Sequence, residues 1–112
     1  MTKYLLSFPS DAMVLAEDEF PAVVEASHAV IGEAKAAGVY VFGGGIDEDV
    51  APVLVTGRGA VSDETYPGVR ITGGFLVLEP PTRADAIDWA ARVAHACRCP
   101  QELREFGYDP ES

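Results

Sequence analysis

Two stretches of helical periodicity divide this chain, and each has a strand-like pattern on both sides. In the first, beginning at Phe20, the positions Val23, Val24, Ser27, Ile31 and Ala34 recur at helical spacing. Pro21 suits its first turn, where a missing N–H is harmless, and Gly38 is placed to end it in a left-handed conformation. In the second, Thr82 is the expected cap and Asp85 sits near the positive helix end. Projecting Arg83 to Cys97 at about 100° per residue gathers Asp85, Asp88, Arg92 and His95 on one narrow arc, and beyond Arg83 the rest of that helix is apolar.

The strand patterns fill the spaces between. Residues 2–8 alternate Lys3, Leu5, Ser7 against Tyr4, Leu6, Phe8 and are closed by Pro9. Val39 to Phe42 is a short apolar run ending in Gly43-Gly44-Gly45, read here as a bulge or a sharp exit from the strand. Val53 to Thr56 turns through Gly57-Arg58-Gly59 into Ala60-Val61 as a hairpin. Gly74 to Glu79 is stopped by Pro80-Pro81, and Gln101 to Phe106 reads as a last strand, although E-L-R-E also suits a helix turn. The order strand, helix, strand, strand, helix, strand predicts an α+β fold on the split βαβ, ferredoxin-like plan, with both helices on one face of an antiparallel sheet. In the second and fourth strands both alternating faces are apolar, and two helices cover one face only. A homodimer packed sheet against sheet is the most economical cover for the other.

At 112 residues the chain supports one domain spanning positions 1–112. With 18 acidic groups against 8 basic, its formal charge of -10 works against nucleic acid and anionic membrane as partners. No apolar run approaches the roughly 20 residues needed to cross a bilayer. The start M-T-K-Y-L-L-S-F-P-S is too short for a signal-peptide core, so the expected location is cytoplasmic. Cys97 and Cys99 can neither form a disulfide framework nor complete a four-ligand zinc site, and they read as reduced thiols packing a helix end.

Ser62-Asp63-Glu64-Thr65-Tyr66 follows a strand, and Thr72-Gly73-Gly74-Phe75 then opens the next one. With the K-Y-L-L of Lys3 to Leu6, the A-A-G-V of Ala36 to Val39 and the A-x-x-W-A-A-R of Ala86 to Arg92, these segments make the chain resemble the YCII-related family. The likeness is to its DGPF subgroup, whose T-D-G-P-F and L-G-G-F motifs occupy those two places, and it covers about residues 2–108. The resemblance implies a dimeric α/β barrel. It implies little about activity: most of the family has no assigned reaction, some members are tied to alternative sigma factors, and a YCII-like relative acts on a chlorinated aromatic intermediate. For part of the family a helix histidine and a nearby aspartate are the proposed active pair, and Asp63 matches that aspartate.

From the residues themselves, His28 falls about 80 to 100° from the centre of the first helix's apolar stripe, where an imidazole can touch both the core edge and a polar loop. It is the candidate general base, oriented by Asp63, with Asp47 or Glu64 as alternatives. Tyr66, Arg70 and Tyr4 are the candidate substrate contacts. A boundary histidine without chemistry, an aspartate capping its own turn and a loop tyrosine packed on the core edge are the plainer alternatives. Gly43-Gly44-Gly45 lacks the Gly-Lys-Ser/Thr of a phosphate loop, and Asp47-Glu48-Asp49 after it repels anions. The expectation is cofactor-free, lyase- or isomerase-like acid–base chemistry on a small organic acid. A non-catalytic binding or regulatory module linked to transcription is the alternative.

Overall fold

The computed structural model describes residues 1–112 with the exception of Arg70. In chain order the elements are β1 (Tyr4–Phe8), α1 (Phe20–Ala36), β2 (Tyr40–Gly45), β3 (Leu54–Val55), β4 (Val61–Ser62), β5 (Gly74–Leu78), α2 (Arg83–Cys97) and β6 (Glu102–Glu105). Two short 3-10 turns, Ser10–Ala12 and Glu17–Glu19, join β1 to α1. The architecture is mixed α+β. Four strands form one sheet in the order β2-β5-β1-β6 with every neighbouring pair antiparallel, and β3 and β4 form a separate two-stranded hairpin. Among the described residues no barrel closes, and no helix is long and apolar enough to cross a membrane.

Alternation along the strands decides which side chains meet the helices. Tyr4, Leu6 and Phe8 of β1 stand opposite Leu78, Leu76 and Gly74 of β5, so these positions share one face. Tyr4, Leu6, Leu76 and Leu78 are buried there with Ala86, Trp89 and Val93 of α2 and Ala34 of α1. The two helices also pack on each other, and the Arg92 guanidinium lies 4.5 Å from the centre of the Trp89 ring. On the opposite face stand Leu5, Phe75, Val77 and Phe42, of which the first three are half-buried and Phe42 is 64% exposed.

Both helix ends are closed by local geometry. Gly38 has φ +74, its N–H donates to the Lys35 carbonyl (3.1 Å), and the next N–H, from Val39, reaches back to the Ala34 carbonyl (3.1 Å). That pair of bonds satisfies carbonyls which the helix itself leaves open. At the far end of α2 the same turn is made by Arg98, φ 58, with the Cys99 N–H on the Ala94 carbonyl at 3.2 Å. Thr82 caps α2 as expected, its hydroxyl accepting from the Asp85 N–H at 3.1 Å.

One reading of the sequence needs correction. Gly43, Gly44 and Gly45 do not leave the strand: they are its continuation, paired with Leu76, Phe75 and Gly74. The irregularity comes earlier, between Tyr40 and Phe42, where the extra residue Val41 shifts the register and turns Phe42 to the face opposite the core. The segment from β2 to β5 then runs out from the body as the β3–β4 hairpin. Its Val53, Val55 and Val61 are all more than half exposed, and the Cα radius of gyration is 15.8 Å against about 13 Å for a close-packed chain of this length.

Candidate functional site

A cavity of about 920 Å³ lies between the N-terminal half of α1 and the covered face of the sheet. Its origin is a shortage of side chains. At that end of the sheet the inward positions are Gly43, Gly45 and Gly74, so the floor beneath the helix is largely backbone. Two of these glycines leave little room for a side chain. A Cβ on Gly74 would meet the Phe8 ring at 2.7 Å, and one on Gly43 would press Leu76 at 3.1 Å. Gly73, which leads the chain into β5, has φ +75 and a Cβ there would fall 2.1 Å from the Phe8 carbonyl oxygen. Above this floor α1 buries only Val23 and Ala34, and Phe20 at its start remains 57% exposed.

The wall is mainly apolar, with Leu6, Phe8, Met13, Val24, Ile31 and Leu76 supplying most of it. Its polar side chains are Ser10, Glu17, Ser27, His28, Glu48 and Gln101. The mouth is held by the turn after β1. The Ser10 N–H donates to Thr72 Oγ1 at 3.1 Å and the Ser10 hydroxyl to Glu48 Oε1 at 2.9 Å, tying residues distant in sequence across the opening. A largely apolar concavity with a few placed polar groups is the usual form of a small-molecule site, and this volume lies in the usual range.

Of the described residues expected to form the site, His28, Asp63, Tyr66 and Tyr4, only His28 lines this cavity, as an exposed side chain on its wall. Asp63 lies just beyond β4 on the exposed hairpin, where its carbonyl accepts from the Thr65 N–H at 3.2 Å. Tyr66 is 72% exposed on the following loop, and neither residue is part of the wall. Tyr4 is buried in the core between β5 and β6. Arg70 lies outside the described residues. The carboxylates that share the cavity with His28 are therefore Glu17 and Glu48, not Asp63. Glu48 belongs to the acidic run after β2. Its place at a cavity mouth follows from the Ser10 contact, which joins positions 38 apart and has no sequence pattern of its own.

Cys97 also touches the cavity, from the last turn of α2. Both thiols are free and buried. Burial pushes each above the ordinary thiol value, and at Cys97 the neighbouring Cys99 adds to the effect. Neutral, protonated thiols of this kind pack well and attack poorly. Among the described residues no group of His, Cys, Asp and Glu is arranged to hold a metal ion. No family model matches the chain, and no match is found among curated proteins.

Proposed function

We propose that this chain is a small-molecule-binding domain of ferredoxin-like topology that works as a homodimer. The observation that carries the binding reading is the apolar cavity with a floor of glycine backbone, where a Cβ would crowd Phe8 from Gly74 and Leu76 from Gly43. The strand order β2-β5-β1-β6, with α1 and α2 against one face, supports the ferredoxin-like reading. The apolar face opposite the core supports the dimer. The YCII-related resemblance stays a proposal, supported by the demands placed on Gly73 and Gly74, the two residues that anchor its second motif. Any chemistry at the site falls to His28, with Glu17 or Glu48 as the carboxylate in its company.

Gly45 offers the test, because a Cβ there meets nothing nearer than the Gly73 carbonyl oxygen at 3.7 Å. Gly45→Val therefore narrows the floor from a position whose Cβ has room. Wild-type protein is expected to bind a neutral solvatochromic dye such as Nile red saturably, with a blue-shifted emission. Gly45→Val and the independent Ser27→Leu are expected to weaken that binding several-fold while keeping the wild-type circular dichroism spectrum. Dye binding that is absent in the wild type, or unchanged in both folded variants, removes the cavity as the site.

A further inference from the structure

The cavity's polar groups are one-sided. Its hydroxyl and amide donors are already used within the protein: the Ser10 hydroxyl donates to Glu48, the Ser10 N–H to Thr72, the Ser27 hydroxyl to the Val24 carbonyl at 2.9 Å and the Gln101 amide to the Cys99 carbonyl at 3.3 Å, which leaves the His28 imidazole as the side-chain N–H on the wall among the described residues. What faces the cavity is acceptor capacity, above all the exposed carboxylates of Glu17 and Glu48. No Lys or Arg lines the wall among the described residues, and the only other ionisable groups on it are His28 and Cys97. Five of the chain's eight Lys and Arg are ion-paired elsewhere, Lys3 with Glu79, Arg83 with Glu105, Arg92 with Glu33, Arg98 with Glu19 and Arg104 with Glu102, and Lys35 lies over the Tyr40 ring. Glu48 is held in place by a neutral hydroxyl, so its charge is positioned but not cancelled.

We infer that the cavity takes a cationic amphiphile, an apolar chain ending in a primary ammonium group, and discriminates against a carboxylate of the same length. The inference rests on the small-molecule reading of the cavity and names the ligand class for it. The apolar body displaces water from Phe8, Met13, Val24 and Ile31, while the ammonium supplies the donors that the mouth lacks and meets two uncompensated negative charges. A carboxylate end brings a third negative charge and no donor. Because both glutamates are exposed, the discrimination is moderate and weakens with salt.

Competition against bound Nile red with octylammonium, octanol and octanoate at pH 7 and low salt tests this, each probe below its aggregation threshold. Octylammonium is expected to displace the dye at about one tenth of the octanoate concentration, with octanol between them. In Glu17→Gln/Glu48→Gln the three probes should fall within about twofold of one another. The tail variant Asp109→Asn/Glu111→Gln removes as much negative charge away from the cavity and is expected to keep the wild-type order. Octanoate binding as tightly as octylammonium, or an order lost equally in the tail variant, overturns the inference and leaves the cavity standing as a binding site. Failure of the dye and all three probes to bind overturns both.

Discussion

Cys97 and Cys99 report on how firmly the end of α2 is closed. Their side chains lie against the core rather than in solvent, and burial holds both thiols protonated to higher pH than a free cysteine. The unfolded chain loses these protons near the ordinary thiol value of 9.0, before the folded chain does. Folding is thus at full strength with respect to these groups below that pH, and it weakens as pH rises from there through the folded values. The limiting slope is about 1.4 kcal/mol per pH unit for each thiol. Urea unfolding of the reduced protein between pH 8 and 10.5 should show this loss, and Cys97→Ala/Cys99→Ala should flatten it relative to wild type. Equal slopes in the two proteins would show the thiols to be unperturbed. The packing role of these cysteines was legible, since two of them at a helix end suit nothing larger. His28 was legible as a boundary residue from its angle on the helix. Glu17 and Glu48 were not, because each reads locally as a solvated acid and only the chain's return past Ser10 gives one of them a position.

At the scale of elements, glycines that look alike in sequence do three different things. Gly38 ends α1 through its positive φ and touches nothing: a Cβ there has open space within 4 Å. Gly38→Ala therefore isolates the backbone term and should cost about 1 kcal/mol in chemical denaturation, with the fold intact. Gly73 shares the positive φ but lies against the Phe8 carbonyl, so Gly73→Ala adds a steric clash that only movement of β1 relieves. Its cost should exceed that of Gly38→Ala by at least about 2 kcal/mol, and equal losses would show that the β1–β5 junction is looser than its geometry requires. Gly43 and Gly45 have ordinary strand conformations and matter for the side chains they lack. That last role explains the misreading of β2: composition signals a break, while pairing to β5 extends the strand. β1 and the two helices were legible because their periods of two and 3.6 are uninterrupted, whereas Glu102–Glu105 suits a strand or a helix turn in sequence and pairing with β1 makes it a strand. The end of α2 at Cys97 was legible too, but not its closure, since Arg98 takes a left-handed turn that sequence assigns to glycine.

For the whole molecule the unresolved balance is between an apolar face and a high charge. Leu5, Phe75, Val77 and Phe42 stand on the sheet face opposite the buried cluster, none of them fully buried, and Val53, Val55 and Val61 of the hairpin segment are exposed as well. A two-stranded hairpin of this size has little stability in water alone, so a layer packed over it and over the sheet would satisfy both. A second copy meets that need by symmetry, and it opposes a net charge of -10 on each partner. These two terms respond differently to conditions, which makes the dimer testable. Sedimentation of the wild type should show a dimer that tightens as salt is raised, because screening weakens the repulsion while apolar burial persists. Phe42→Asp places a charge where the side chain is already open to solvent in the single chain, so the protomer should fold with little change in its thermal midpoint. In the dimer the same substitution forfeits about 1.5 kcal/mol or more of burial on each of two chains. The dissociation constant should rise more than about a hundredfold, and the variant should sediment as a monomer at micromolar concentration. A wild type that remains monomeric at high salt and millimolar concentration would require the face to be covered by a different partner.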